Sequence, residues 1–215
     1  MNFRALPSIK EARKLAGKLS HPSKMPCPAW GIPKARCKTG GKLSKKKNTV
    51  CSKCYGRRGP ISWPAAVSAQ EDRYTKWKKS SYTDWIMAME SLIAHEVDSH
   101  FRWFDMGDLQ SVGMVRQIIK IAEDMPWVKF WLPTQERKFI EQVKTKSDIP
   151  DNLTIRLSTP RIDGAPCGCH PHTTTVATAP SSSPNLCTAH ERGNQCGPCR
   201  MCWDKTVPNV IYPLR

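Results

Sequence analysis

Three cysteines near the C-terminus, Cys196, Cys199 and Cys202, are each separated from the next by two residues. No other feature restricts this chain so tightly, because a C-x2-C-x2-C segment has to wrap one small centre. Zinc fingers and ribbons draw their four ligands as two separated pairs. A triple run instead wraps a cube-shaped iron–sulfur cluster, with a distant cysteine at the fourth corner. Cys187 is the nearest upstream candidate for that corner, so Cys187, Cys196, Cys199 and Cys202 form one expected [4Fe-4S]-type site. A second set is Cys27, Cys37, Cys51 and Cys54. Cys51 and Cys54 make a clip whose sulfurs turn towards one centre, and that spacing suits zinc as well as iron–sulfur. Cys167 and Cys169, with His170 and His172 beside them, are spare. They either replace a ligand such as Cys37 or remain a surface thiol pair.

Ten cysteines in 215 residues is high usage. The N-terminus Met1-Asn2-Phe3-Arg4 leads into a charged stretch without a signal peptide. No apolar run approaches the roughly 20 residues of a membrane span. The expected setting is a reducing cytoplasm with no membrane partner, where metal binding outweighs disulfides. The net charge is +16, and Lys34 to Arg58 holds ten basic residues and no acid. Such a stretch is a footprint for an acidic partner, nucleic acid first. It also serves as a solubilising face or offsets the thiolates of a metal centre.

The pattern along the chain is α/β. Ser8-Ile9-Lys10-Glu11 is a capping box for a basic helix to about Ser20. From Pro22 to Pro60 no period is visible, and a loop of that length calls for an anchor such as a metal centre. Helical texture returns from Trp63 to about Lys79, and Thr83 is placed to cap a further helix. Phe101–Asp105, Val128–Leu132 and Leu153–Leu157 read as strands. Between them, Ser111 caps a helix that Pro126 ends, and another helix spans about Gln135 to Lys144. The result is a short parallel β-α-β-α-β sheet, open or a partial barrel, with cysteine-rich metal-binding loops at both ends. The stretch Thr173 to Ser183 reads as a low-complexity loop. One compact domain is expected in three stretches: an N-terminal helix and basic loop over 1–62, a core over 63–165, and a cysteine-rich segment over 166–215.

A site is expected beyond the carboxyl ends of parallel strands. Asp105, Asp108 and Thr134 lie there and are the candidate substrate-orienting or catalytic residues. Gly107 between the aspartates allows a tight turn or a close backbone approach. A helix cap or turn explains Asp108 equally well. Trp103, Trp127 and Trp131 are expected in the core, whereas Trp30 and Tyr55 are placed to stack on a base or shield a cluster. His21, His95, His100 and His190 have no ligand spacing. No Gly-rich phosphate loop, hydrolase triad order or dinucleotide fingerprint is present.

The order of several short pieces resembles the gene product 88 family of phage and bacterial proteins. The pieces are Cys27-Pro28, Cys54-Tyr55-Gly56, Phe101-Arg102-Trp103 with Gly107-Asp108, Phe130-Trp131 with Thr134, Asn152-Leu153 with Ser158, and Cys196, Cys199-Arg200, Cys202-Trp203. No reaction comes with that resemblance; host cytosol would be the setting of a phage-encoded member. The architecture is also similar to a reduced barrel of radical S-adenosylmethionine enzymes, although their C-x3-C-x2-C signature is absent here. The expectation is an iron–sulfur protein with two cluster sites, a redox or radical-type enzyme or an electron carrier served by a reductant protein. The rival expectation is a zinc-stabilised nucleic-acid-binding protein without catalysis.

Overall fold

The structure is a computed structural model that describes residues 5–144, 149–180 and 182–214. The first helix, α1 (Ile9–Ala16), starts at the expected capping box. Ser8 Oγ accepts from the Glu11 amide at 3.3 Å, and the Ser8 amide donates to Glu11 Oε2 at 3.0 Å. It stops before Ser20 because Gly17 turns the chain at φ 79°. The stretch expected to be structureless contains a two-residue strand, β1 (Ala29–Trp30), a short helix, α2 (Thr39–Leu43), and several 3-10 turns. Then come α3 (Pro64–Lys79) and α4 (Tyr82–His95). Ser81 caps α4, accepting from the Asp84 amide at 3.1 Å, so Thr83 lies inside the first turn rather than at the cap.

Three strands fall where apolar runs placed them: β2 (His100–Trp103), β3 (Lys129–Thr134) and β4 (Leu153–Ser158). Between them run α5 (Val112–Asp124), capped by Ser111, and α6 (Arg137–Lys144). Two further strands, β5 (Thr173–Ala177) and β6 (Asn209–Pro213), complete the sheet. Stretches read as loops thus supply half the strands. In β5 the threonines that looked like low complexity are β-branched residues suited to a pleated ladder.

All six strands are parallel and lie in chain order, β1 to β6. The two ends of the sheet do not pair with each other, so it is open rather than a closed barrel. Right-handed crossovers in such an order fall on one face. There α1, α4, α5 and α6 bury Phe101, Trp103, Phe130, Leu132, Leu153, Ile155 and Leu157 in one core. Trp30 belongs to this core, fully buried and edge-on to Trp85, and is no stacking platform. Trp127 departs from expectation in the other sense, at 64% exposed. Alternate residues of the same strands, Arg102, Trp131, Thr154 and Arg156, serve the opposite face. That face is covered by irregular cysteine-bearing chain instead of helices.

Candidate functional site

The loop after β1 lies across the carboxyl ends of the strands. Its hydrogen bonds reach β2, β3 and β4 in turn. The Ile32 amide donates to the Met106 carbonyl at 2.9 Å, Thr39 donates through its amide and hydroxyl to Glu136 at 2.7 and 2.8 Å, and the Val50 amide donates to the Pro160 carbonyl at 3.0 Å. This brings Cys37, Cys51 and Cys54 together. A side chain at Gly40 would meet Cys51 Sγ at 3.4 Å and Cys37 Sγ at 3.9 Å, so glycine leaves the space those sulfurs face. Burial pushes the Cys51 thiol up to about 12, and the nearby Cys54 adds to this. Cys37 is pushed up as well, by burial first and then by Asp108 and the other two thiols. Lys45, Lys46, Lys47, Lys53, Arg57 and Arg58 of this loop are exposed. Tyr55 is 56% exposed, yet its hydroxyl is fixed, donating to the Asp105 carbonyl and accepting from Arg102 Nη2 at 3.1 Å.

Of the candidate catalytic residues, Asp108 and Thr134 meet. Thr134 Oγ1 donates to Asp108 Oδ1 at 2.6 Å, and the Gln135 and Leu109 amides donate to Asp108 at 2.9 and 2.8 Å. Asp105 turns elsewhere, accepting from Ser20 Oγ at 2.7 Å. All three are buried. Asp108 therefore ties the end of β2 to the end of β3, next to the Cys37–Cys51 group.

Burial pushes the Asp108 carboxyl up from 3.8 to about 7, against the pull of its three hydrogen bonds. The folded protein then holds a proton that the unfolded chain has released. The stability tied to that proton is complete below about pH 4 and is lost as pH rises through about 7. Urea midpoints of the wild type are expected to fall as pH rises over this window, with Asp108→Asn less stable but missing that part of the slope. Parallel pH profiles for the two proteins would contradict this.

A second group of thiols lies on the helix-free face of the sheet. Cys27 is 6% exposed and packs with Cys202, Trp131 and Trp203. The Cys196 amide donates to the Lys24 carbonyl at 3.1 Å, and the Cys187 amide to Ile211 of β6 at 2.8 Å. Cys202 Sγ and the Tyr212 hydroxyl are 3.0 Å apart. Cys187 and Cys199 are close enough to raise the Cys196 thiol beyond what burial does, and burial pushes Cys27 and Cys202 up to about 12. The N-terminal quartet is thus divided. Cys27 precedes β1 and joins the C-terminal cysteines, while Cys37 follows β1 and joins Cys51 and Cys54. Among the described residues, no three His, Cys, Asp or Glu side chains stand close enough to chelate one ion.

Two arginines underlie this second group. Arg156 is completely buried and donates to five backbone carbonyls, those of Cys202, Met201, Asp204, Val207 and Thr173. Arg102 is half-buried and stacks on Trp131 at 4.5 Å, and its buried Nε has no partner among the described residues. Neither forms an ion pair among those residues. Reading the sequence missed both. The available signal was a charge between apolar neighbours in Phe-Arg-Trp and Ile-Arg-Leu, inside strands covered on both faces.

Cys167 and Cys169, expected as a thiol pair or a spare ligand, are disulfide-bonded to each other. His21 pairs with Glu96 at 2.7 Å, and His100 stands edge-on to Trp203, so both act in packing and surface contacts. No helix among the described residues is long and apolar enough to cross a membrane.

No curated protein and no solved structure matches this chain. The family model described as gene product 88 matches residues 6–179. That span runs from the capping box of α1 past the end of β5 and includes the Cys37–Cys51–Cys54 loop, while the pieces from Cys196 to Trp203 lie beyond it. The match over most of its length places this chain in the gene product 88 family.

Proposed function

We propose that this protein binds iron–sulfur clusters and works as a redox protein, an electron carrier or an enzyme of oxidoreductase or radical type. One observation carries the reading: five free thiols, those of Cys27, Cys187, Cys196, Cys199 and Cys202, gather on the helix-free face over Arg156, which is buried, and Arg102, which is half-buried; neither arginine forms an ion pair among the described residues, and the nearby carboxylates Asp204 and Asp105 act on them only at a distance. A charge removed from water without a counter-charge is costly. Burial raises the thiols of Cys27, Cys196 and Cys202, so without metal these three do not offset Arg102 and Arg156. Coordination would deprotonate them and add negative charge beside the two arginines. The donor set fits this group, being all thiol, with C-x2-C-x2-C spacing.

A tetrahedral zinc with bonds of about 2.3 Å needs its sulfurs within about 4 Å of one another. A cubane spreads its ligands over separate irons, so the sulfurs that hold it stand further apart than those on one zinc ion. Bound clusters supply one-electron transfer. The chain's own part is to exclude water with Trp131 and Trp203 and to set the local charge with Arg102 and Arg156. Asp108 and Thr134, buried and bonded to each other, would position the loops that orient a substrate at the strand ends. Binding of S-adenosylmethionine there is a further proposal, as are a reductant protein partner and a reducing cytoplasmic setting.

The test is anaerobic purification followed by iron, acid-labile sulfide and zinc determination with a visible spectrum. Brown protein with matched iron and sulfide, enough for two clusters, is expected. Zinc without iron or sulfide would overturn the reading.

A second reading, nucleic-acid binding, has its own observation. Tyr55 and Trp63 are exposed aromatics beside exposed Arg57 and Arg58, a combination suited to stacking bases along a basic surface. Affinity for single-stranded oligonucleotides that falls steeply with salt is expected on that reading. Absence of binding at low salt would remove it.

A further inference from the structure

The division of the thiols extends the iron–sulfur reading, and the roles assigned to them rest on that reading. Cys27 and Cys37 sit on opposite sides of β1. Cys27 is packed with Cys202 and with two tryptophans that cover the helix-free face. Its loop is fastened to the C-terminal cysteine run through the Lys24 carbonyl and the Cys196 amide. Cys37, by contrast, shares the glycine-lined space at Gly40 with Cys51, over the carboxyl ends of the strands. The cysteines therefore divide three, five and two rather than as two quartets and a pair.

Among the described residues, the three-thiol group has no fourth thiol and no free carboxylate to hand; the Met106 thioether, next to Cys54 at Gly56, is a neutral and much weaker donor. Cys167 and Cys169 are bonded to each other. Both oxygens of Glu136 are taken by Thr39, and Asp108 accepts from Thr134, Gln135 and Leu109. Arg57, three residues after Cys54 on the same loop and exposed, puts a positive charge beside the group, which favours an anionic donor.

We infer that Cys27 is the fourth ligand of the C-terminal centre beside Cys196, Cys199 and Cys202, which leaves Cys187 spare, and that the centre at Cys37, Cys51 and Cys54 takes its remaining ligand from solution, a small anionic donor such as a thiolate. An exchangeable position then lies at the edge of the sheet where parallel α/β folds place substrates, and a closed centre lies on the opposite face.

The test compares full-length Cys27→Ala, Cys199→Ala and Cys51→Ala, all prepared without oxygen. Iron, sulfide and the paramagnetic resonance spectrum of each reduced protein are recorded. Cys27→Ala and Cys199→Ala are expected to lose about half the iron and to keep the same residual signal. Cys51→Ala should keep the other signal. Added 2-mercaptoethanol should shift the residual signal of Cys27→Ala and leave that of Cys51→Ala unchanged.

If Cys27→Ala loses the signal that Cys51→Ala loses, or loses neither, the assignment of Cys27 is wrong. A residual signal indifferent to the thiol would overturn the exchangeable position.

A second measurement needs no cluster and no folded variant. Chelator-treated wild type is joined with a short thiol cross-linker and digested. Cys27 is expected to join Cys196 or Cys202; joining to Cys37, Cys51 or Cys54 would overturn its assignment. Wild type without iron or sulfide but with Cys27 joined to Cys202 would instead sink the iron–sulfur reading and leave the grouping of thiols standing.

Discussion

Replacement of Arg156 by methionine is expected to destabilise the protein by about 3–5 kcal/mol, the upper part of the range for point substitutions, because a buried hydrogen-bond network loses its donor. The side chain is fully buried at the middle of β4, yet its work lies outside that strand. Its Nη2 donates to Met201 and Asp204 at 2.8 and 2.7 Å, its Nε to Cys202 at 3.0 Å, and its Nη1 to Val207 at 2.9 Å and Thr173 at 3.4 Å. Methionine fills much of the volume but removes a donor from five carbonyls; those of Met201 and Asp204 keep their bonds from the Asp204 and Val207 amides. Each acceptor left without a donor costs about 1–3 kcal/mol before the chain relaxes. Relaxation here means release of residues 201–208 from the sheet. The variant should therefore be cut in that segment under limited proteolysis well before the core is. Lysine should rescue little, because three donors on a flexible stem do not reproduce a planar fork of five. Wild-type urea midpoint and cleavage pattern in Arg156→Met would show that the network does not hold the C-terminal segment.

The second large effect belongs to the backbone crossing at the ends of β1 and β2. Gly107 has φ 83°, and a Cβ there would come within 2.4 Å of both the Ile32 carbonyl oxygen and Ile32 Cγ1. Conformational strain and overlap each cost about 1–3 kcal/mol, and they act together. Gly107→Ala is thus expected to lose about 3 kcal/mol or more, a fall in Tm of roughly 6–12 °C for a chain of this size. The control is Gly41→Ala. That glycine lies inside α2 with nothing within 4 Å of the added carbon, and alanine favours a helix. Its Tm should stay level or rise slightly. Equal melting temperatures for the two variants would refute the close approach of the two loops.

The sequence was legible where one face of a strand or helix was apolar. β2, β3 and β4 carry Phe101, Trp103, Phe130, Leu132, Leu153 and Ile155, and their burial against helices follows from composition alone. β1 was illegible because two residues between Pro28 and Gly31 carry no period. β5 and β6 gain strand structure from the neighbours they pair with, Thr173 with Asn209 and Leu157 with Thr173. The cysteines were legible as donors but not as groups. Nearness in sequence joined Cys27 to Cys37, and only the intervening strand shows that they leave the sheet at different ends. Trp127 was misread because an aromatic residue beside a strand need not lie in it. It precedes Lys129, before the ladder begins.

A sheet whose strands lie in chain order also imposes an order of assembly. As the chain leaves the ribosome, each new strand can dock on the one made before it, and no early strand waits for a late one. The loop with Cys37, Cys51 and Cys54 is complete while most of the protein is still unmade. The face that buries Cys27 has to wait for Cys187 to Cys202, which come after every strand but β6. Until then Cys27 and Trp131 lack the cover that Trp203 gives them in the finished fold. The thiol group at Cys37, Cys51 and Cys54 is thus assembled early in synthesis, and the one around Cys27 is closed only after Trp203 has emerged.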